Sequence, residues 1–282
     1  MNNKKRNLRL DRIGTLLCVI VFIIAALGFG TYKVFDYFEQ RQIAQLQAIQ
    51  CPDTIEKGTF KAIKKKALSG KEDYIQILEN IDAYSQDILE FLELSEERID
   101  FVLQYPQRKQ YEDPPSKLEE SLKEFPYLCQ WDLRWGYTTY GEAYFYQTGC
   151  APTCLSMIFS FLLQDASITP VKLAEYAMEE NLYVNGVGTD WSLLEKAAEK
   201  YGVKVSRISF SQLEQELVNG HPVICSMMPG DFTQVGHFIV ATDVQDGKVT
   251  VQDPNSPSRS QKQWDINTII SQCQGMWAYS ME

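Results

Sequence analysis

At 282 residues with a formal net charge of −10, the chain has room for one domain of ordinary size plus accessory segments, and it lacks the basic face that a nucleic-acid partner requires. Acidic substrates are disfavoured on the same ground. Seven cysteines at irregular spacings, no Cys-x-x-Cys pair and only two histidines point away from a zinc knuckle or a dense disulfide frame, so no metal and no cofactor is expected.

Residues 1–12 carry Lys4, Lys5, Arg6, Arg9 and Arg12, and Ile13 to Tyr32 follows without a charge. A helix of about twenty residues is about 30 Å long, enough to cross a bilayer. The positive flank predicts a cytoplasmic basic tail at 1–12, a single transmembrane signal anchor at 13–32, and everything after Lys33 on the outer face of the cell membrane. A cleaved signal peptide is the competing reading, but the apolar run is long for one and Ala25-Ala26-Leu27-Gly28 is a poor cleavage site. Cys18 lies inside the apolar run, where it reads as a packing or lipid-facing thiol.

From Lys33 to about Leu122 the chain turns helical and polar, as a stalk or cap region. Tyr74, Ile77, Leu78, Ile81, Tyr84, Ile88, Phe91 and Leu92 recur at three- and four-residue steps and predict one apolar stripe down a helix. The repeat is too short for a zipper, so packing on the following domain is expected rather than a coiled coil, and the oligomeric state is left open. Ser95-Glu96-Glu97 caps a second short helix through Leu103. Gln107 to Ser116, with Pro114-Pro115, reads as a linker, and the compact domain is expected over 125–282.

Within that domain Thr148-Gly149-Cys150-Ala151-Pro152-Thr153-Cys154 runs into a helix that is apolar on every face, a central core helix with Pro152 in its first turn. Cys150 stands at the helix N-terminus, where unpaired N–H groups and the macrodipole favour a thiolate. Taken alone, a small buried cysteine would explain the position equally well. Helices opened by Thr169-Pro170 and Thr189-Asp190 follow, then strands at Val203–Ser209, Pro222–Met228, His237–Val244 and Lys248–Asp253, with a short helix at Ser211–Asn219. A last helix over Asp265–Gln272 and a closing strand over Met276–Met281 complete an α+β arrangement, a helical lobe carrying a cysteine and an antiparallel lobe carrying a histidine, with a cleft between them.

A cysteine hydrolase needs a thiolate, a base, a group that orients the base, and donors for the oxyanion. His221, in Asn219-Gly220-His221-Pro222, sits on a connection ahead of a strand, whereas His237 opens a strand where an apolar side chain would be the structural choice. If Gln245-Asp246-Gly247 is a three-residue hairpin loop, His237 lies opposite Asn255 and Ile239 opposite Asp253, which puts both polar residues on the face of His237. A two-residue Asp246-Gly247 turn would shift the register by one and put Asp253 on the wrong face. For the oxyanion, Gln130 in Gln130-Trp131-Asp132-Leu133-Arg134-Trp135 and Gln147 remain alternatives beside the backbone N–H of Cys150.

Gln130-Trp131-Asp132-x-Arg134-Trp135, Thr148-Gly149-Cys150-Ala151-Pro152-Thr153, Gly236-His237-Phe238 and Asp253-Pro254-Asn255-Ser256, in that order, resemble family thirty-nine of the cysteine peptidases. The resemblance is to the stand-alone bacterial relatives of the bacteriocin-leader-processing domains and covers about Phe125 to Glu282. It implies a papain-like fold with Cys150 as nucleophile, His237 as general base and acid, Asp253 as orienter and Gln130 as oxyanion donor; Asn255, which the three-residue loop puts opposite His237, is a secondary candidate. The family's transporter-linked members cut leader peptides after a double glycine on the cytosolic side. This chain departs from them in having no Gly-x-x-x-x-Gly-Lys phosphate loop and a domain expected outside. Three readings follow: a membrane-anchored peptidase acting on peptides outside the cell, an amidase or transpeptidase-like acyl transferase on cell-wall peptides, and a catalytically silent peptide-binding module. The complete thiol, imidazole, carboxylate and amide set weighs against the third.

Overall fold

The computed structural model describes residues 31, 33–186 and 188–281. The expected basic tail lies outside the described residues, as does the expected membrane span but for Thr31. Among the described residues no helix is long and apolar enough to cross a membrane. The chain divides into two compact units, one ending at Glu90 and one running from Phe91 to Glu282.

In the first unit residues 33–48 are helical, and α1 (Lys57–Leu68) packs against α2 (Glu72–Glu79). The expected single striped helix is broken. Ile81–Ala83 forms a separate 3-10 turn and α3 (Gln86–Leu94) starts afresh, yet Tyr74, Ile77, Leu78, Ile81, Tyr84 and Ile88 are all buried. The break has a local cause. Asn80 leaves helical geometry (φ −116°, ψ 27°) and turns its side-chain amide back onto the Gln76 carbonyl at 2.9 Å, closing α2.

The second unit begins ahead of the linker expected at 107–116. α4 (Ile99–Leu103) and the 3-10 helix Tyr105–Tyr111 belong to it. The reason is aromatic. Phe101 stacks on Tyr137 with ring centroids 4.2 Å apart, Phe91 meets Tyr146 at 4.7 Å, and Tyr105 and Tyr111 lie 6.1 and 6.0 Å from Tyr137. Aromatic pairs of this kind contribute about 0.5–1.5 kcal/mol each beyond their area. A segment that reads from its prolines and charges as a linker is therefore fastened to the domain.

The remaining elements are β1 (Thr139–Tyr140), β2 (Ala143–Tyr144), α5 (Phe145–Thr148), α6 (Cys150–Leu163), α7 (Pro170–Glu179), β3 (Tyr183–Val184), β4 (Gly188–Thr189), α8 (Ser192–Tyr201), β5 (Lys204–Ile208), α9 (Leu213–Val218), β6 (Val223–Met227), β7 (His237–Gln245), β8 (Lys248–Gln252), α10 (Pro257–Ser260), β9 (Gln263–Asp265), α11 (Ile266–Ser271) and β10 (Cys273–Ser280). Strands β5-β10-β6-β7-β8-β9, in that order, form a six-stranded sheet in which each neighbouring pair is antiparallel. The sheet is covered on both faces. Ile224, Phe238, Val240, Trp277 and Tyr279 join the core of α6, α7 and α8, while Val223, Cys225, Met227, Ile239, Ala241, Val249 and Val251 pack with Leu213, Leu217 and Ile269 from α9 and α11. Strand β6 is accordingly buried along its whole length, as a central strand between two layers must be. The helical and strand halves of the domain thus share one core through the sheet.

Helix α6 is buried without a break from Ala151 to Ser160, which explains why its sequence has no polar face. Its hydroxyls are satisfied internally. Ser156 donates to the Ile168 carbonyl at 2.6 Å and Thr153 to that of Gly149 at 2.7 Å.

The β7–β8 hairpin departs from its expected loop. Gln245 pairs with Lys248, so the turn is the two-residue Asp246-Gly247, and both residues take the positive φ (50° and 72°) of a type I′ turn. On its own that register would carry Asp253 to the wrong face. A bulge between Ala241 and Asp243 removes the offset: Thr242 has no partner, and beyond it Ala241 pairs with Val251 and Val240 with Gln252. Continued past the strand end, this register brings Ile239 opposite Asp253 and makes Asp253 a diagonal neighbour of His237 on the same face.

Candidate active site

Gly149 separates α5 from α6 at a close approach, since a Cβ there would lie 2.3 Å from the Phe145 ring. The turn delivers Cys150 as the first residue of α6, half-buried, with a backbone N–H that has no acceptor within its own helix. Helix α6 packs against β7, and its N-terminal turn lies beside the first residues of that strand. Cys154 Sγ donates to the Phe238 carbonyl at 3.4 Å, and Cys150 is near enough to the imidazole of His237 to help raise it.

The other side of the imidazole is held by Asp253. His237 Nε2 lies 2.7 Å from Asp253 Oδ1, both side chains being almost wholly out of solvent. Nδ1 is therefore the ring nitrogen that Asp253 leaves for a second partner. Burial alone would depress the imidazole, but the Asp253 charge and hydrogen bond, with the contact to Cys150, push it up to about 9 from its usual 6.5. Burial likewise opposes ionisation of Asp253, and His237 and Arg259 overcome it, holding the carboxyl below its usual range. At neutral pH the stable form of this pair is imidazolium and carboxylate. That imidazolium is the partner a thiolate needs.

Asp253 accepts a second and a third contact, from the Asn255 backbone N–H at 2.8 Å on Oδ1 and from Arg259 Nε at 2.5 Å on Oδ2. Asn255 does not use its side chain on the histidine. Its Oδ1 accepts from Arg98 Nη2 at 3.0 Å, so it acts on the site through its main chain.

Gln130 is buried and bridges two parts of the site. Its backbone N–H donates to the Pro254 carbonyl at 2.7 Å, and its Nε2 donates to the Tyr146 carbonyl at 2.7 Å, leaving one amide N–H to spare. Gln147, its rival in the sequence, instead turns Oε1 to the Tyr144 backbone N–H at 3.1 Å and caps α5. His221 is engaged elsewhere, with Nδ1 2.7 Å from Glu216 Oε2. The cysteines at 51, 129, 150, 154, 225 and 273 are free thiols. Among the described residues no group of three or more His, Cys, Asp or Glu side chains could hold a metal ion.

Arg259 was not singled out in the sequence, although a signal was present. Ser256-Pro257 is a cap followed by a first-turn proline, and it opens α10, with the Ser256 hydroxyl accepting from the Arg259 N–H at 3.2 Å. That turn of helix carries Arg259 back onto Asp253. Glu97, Arg98 and Tyr127, which also contact the Asp253 loop, left no such mark, because they act from distant parts of the chain.

No curated protein matches the chain. Among the solved structures similar to it are two peptidase domains. One is the peptidase domain of Streptococcus ComA, described as a bi-functional ABC transporter involved in a quorum-sensing pathway, at 19% identity and a TM-score of 0.42 over 56% of this chain and 100% of that one. Another is a putative C39-like peptidase from Bacillus anthracis, at 15% identity and a TM-score of 0.40 over 57% of this chain and 96% of that one. The sequence pattern of the Peptidase_C39 like family matches residues 122–281, from just ahead of the Gln130 motif through the closing strand. The chain belongs to the Peptidase_C39 like family.

Proposed function

We propose that this protein is a membrane-anchored, extracytoplasmic cysteine peptidase that hydrolyses peptide bonds with Cys150 as nucleophile, His237 as general base and acid, Asp253 as orienter and Gln130 as oxyanion donor. The observation that carries this reading is the buried His237 imidazole, fixed on Nε2 by Asp253 at 2.7 Å and raised by Asp253 and Cys150, which leaves Nδ1 for the thiol. In the acylation step the Cys150 thiolate attacks the scissile carbonyl and the His237 imidazolium gives its proton to the leaving amine. In deacylation the now neutral imidazole takes a proton from the water that attacks the thioester, and the C–S bond breaks to release the acid and restore the Cys150 thiolate beside the imidazolium. The backbone N–H of Cys150 and the spare amide N–H of Gln130 are the donors for the oxyanion.

Two experiments test this. Cys150 should react with iodoacetamide at mildly acidic pH, and His237→Ala should move that reaction towards the range of a free thiol, about 8.5, while His221→Ala leaves it alone. A Cys150 that titrates like a free thiol with or without His237 would leave a peptide-binding module in place of the enzyme. A peptide library and intact cell-wall material, offered to the purified protein, separate a peptidase from an acyl transferase on cell-wall peptides.

The anchoring rests on the charge-free stretch from Ile13 to Tyr32 behind a basic flank. Protease added to intact protoplasts should digest the domain over 125–282. Full protection until lysis would overturn both the topology and an extracellular substrate.

A further inference from the structure

The loop from Asp253 to Ser260 carries both the orienting carboxylate and Arg259, and part of its anchorage lies outside the residues that match the family. Glu97 Oε1 accepts from the Ser256 hydroxyl at 2.7 Å and Glu97 Oε2 from the Ser258 backbone N–H at 3.1 Å. Arg98 Nη2 donates to Asn255 Oδ1 at 3.0 Å, while Nη1 donates to the Phe91 carbonyl at 2.8 Å and the guanidinium lies over the Phe91 ring, 4.0 Å from its centroid. Both residues precede the matched stretch, which starts at residue 122.

We propose that Glu97 and Arg98 are positioning residues for the reaction: together they clamp Asn255, Ser256 and Ser258 and so fix where Asp253 presents its carboxylate to His237. The proposal rests on the catalytic roles given under Proposed function. The contacts are directional at both ends of the loop. Asn255, gripped by Arg98 through its side chain, returns its backbone N–H to the same Asp253 oxygen that His237 meets. Ser256, gripped by Glu97, caps the turn that holds Arg259 against the other oxygen. Moving either residue therefore moves a ligand of the carboxylate.

The chemistry of the clamp is costly unless it has a use. Arg98 is 4% exposed, and a buried guanidinium is retained only where charge and hydrogen bonds compensate its lost hydration. Burial, together with the nearby Arg259 charge, pushes Arg98 down to about 10, and Glu97 and Asp253 act against that fall. Burial opposes the Glu97 carboxylate as well, but its hydrogen bonds from Ser256 and Ser258 outweigh this and hold it below its usual range. The clamp is thus charged at neutral pH. The catalytic unit, in consequence, starts near Phe91 and not at the edge of the family match.

The test uses the full-length protein with Glu97→Gln, Arg98→Met and Arg98→Lys. Each is measured for kcat and KM per active thiol, by iodoacetamide titration of Cys150 against pH, and for thermal midpoint. A misplaced Asp253 should lower kcat per active thiol between about tenfold and about a hundredfold with KM little changed, since small errors in catalytic geometry have effects of that size. It should also move the alkaline limb of Cys150 alkylation to lower pH, and Arg98→Lys, which keeps a charge and a donor, should recover part of both. A role in folding alone would lower the thermal midpoint and the fraction of active thiol while leaving kcat per thiol and the alkylation profile unchanged, and that result overturns the proposal. If Arg98→Met does not fold, Glu97→Gln and Arg98→Lys decide the matter by the same two readouts. The alkylation profile needs no substrate, so a wild-type protein that cleaves no peptide would refute the peptidase reading while this comparison still stands or falls by itself.

Discussion

Cys150→Ala should lower turnover by about ten-thousandfold or more without shifting the unfolding transition, because removal of a nucleophile leaves only binding and oxyanion stabilisation. The side chain is half-buried at the start of α6, and its loss opens no cavity in the core. Cys154 provides the contrast, one helical turn further on. It is wholly buried among the residues that join α6 to the sheet, and burial pushes its thiol well above the usual range, so it is inert as a nucleophile. Cys154→Ala should therefore cost about 1–2 kcal/mol of stability through lost packing, and leave kcat within about twofold. Steady-state kinetics on a peptide found in the library screen, run beside urea unfolding, reads both quantities. Measurable turnover in Cys150→Ala, or equal losses in the two variants, would remove Cys150 from its role.

Asp253→Ala should be the most destabilising single substitution in the site, at about 3–5 kcal/mol, because it takes from the buried imidazole of His237 and from Arg259 the carboxylate that both contact. Arg259 keeps some access to water and can turn outward, which places the expected value towards the lower end. The pH dependence has a definite sign. The imidazole of His237 is raised in the folded protein, so its stabilisation is complete below about 6.5 and is lost as pH rises through about 9. The Asp253 carboxyl is lowered, so its stabilisation is present above its unfolded value near 3.9 and is lost as pH falls below it. Urea unfolding of the wild-type protein should show a stability that declines from pH 7 to 9.5, and in Asp253→Ala that decline should flatten. In Asp253→Asn, which keeps the shape but not the charge, the alkaline limb of Cys150 alkylation should move to lower pH. An alkaline limb unchanged in Asp253→Asn would show that Asp253 does not govern the imidazole.

Much of the site was legible in the chain because its parts announce themselves locally. Cys150 is marked by the small-residue turn before a wholly apolar helix, and His237 by its place at the head of a strand of apolar residues. The α+β order of elements, helices first and an antiparallel sheet after, was likewise written in hydrophobic period and capping residues, as at Thr169, whose hydroxyl does accept from the Lys172 N–H. What failed were inferences that joined one local signal to the next. Asn80 broke a stripe that periodicity drew as one helix, since a capping side chain overrides a pattern set by burial alone.

By itself, then, the sequence determined which side chains could do chemistry and which elements carry them, because those depend on residue type and on spacing within a few residues. Only the tertiary structure decided how the elements meet. The turn at Asp246-Gly247 fixes one register and the bulge at Thr242 restores another, and nothing local to either reveals that the two offsets cancel at Asp253. Gln130 and Gln147 differ only in what their amides find in space, the Tyr146 carbonyl for one and the Tyr144 N–H for the other. Arg259 reaches Asp253 across a single turn of helix, while Glu97 and Arg98 reach the same loop from more than 150 positions earlier in the chain. Contacts of that separation are set by how a whole core packs, and no residue's own neighbourhood in the sequence records them.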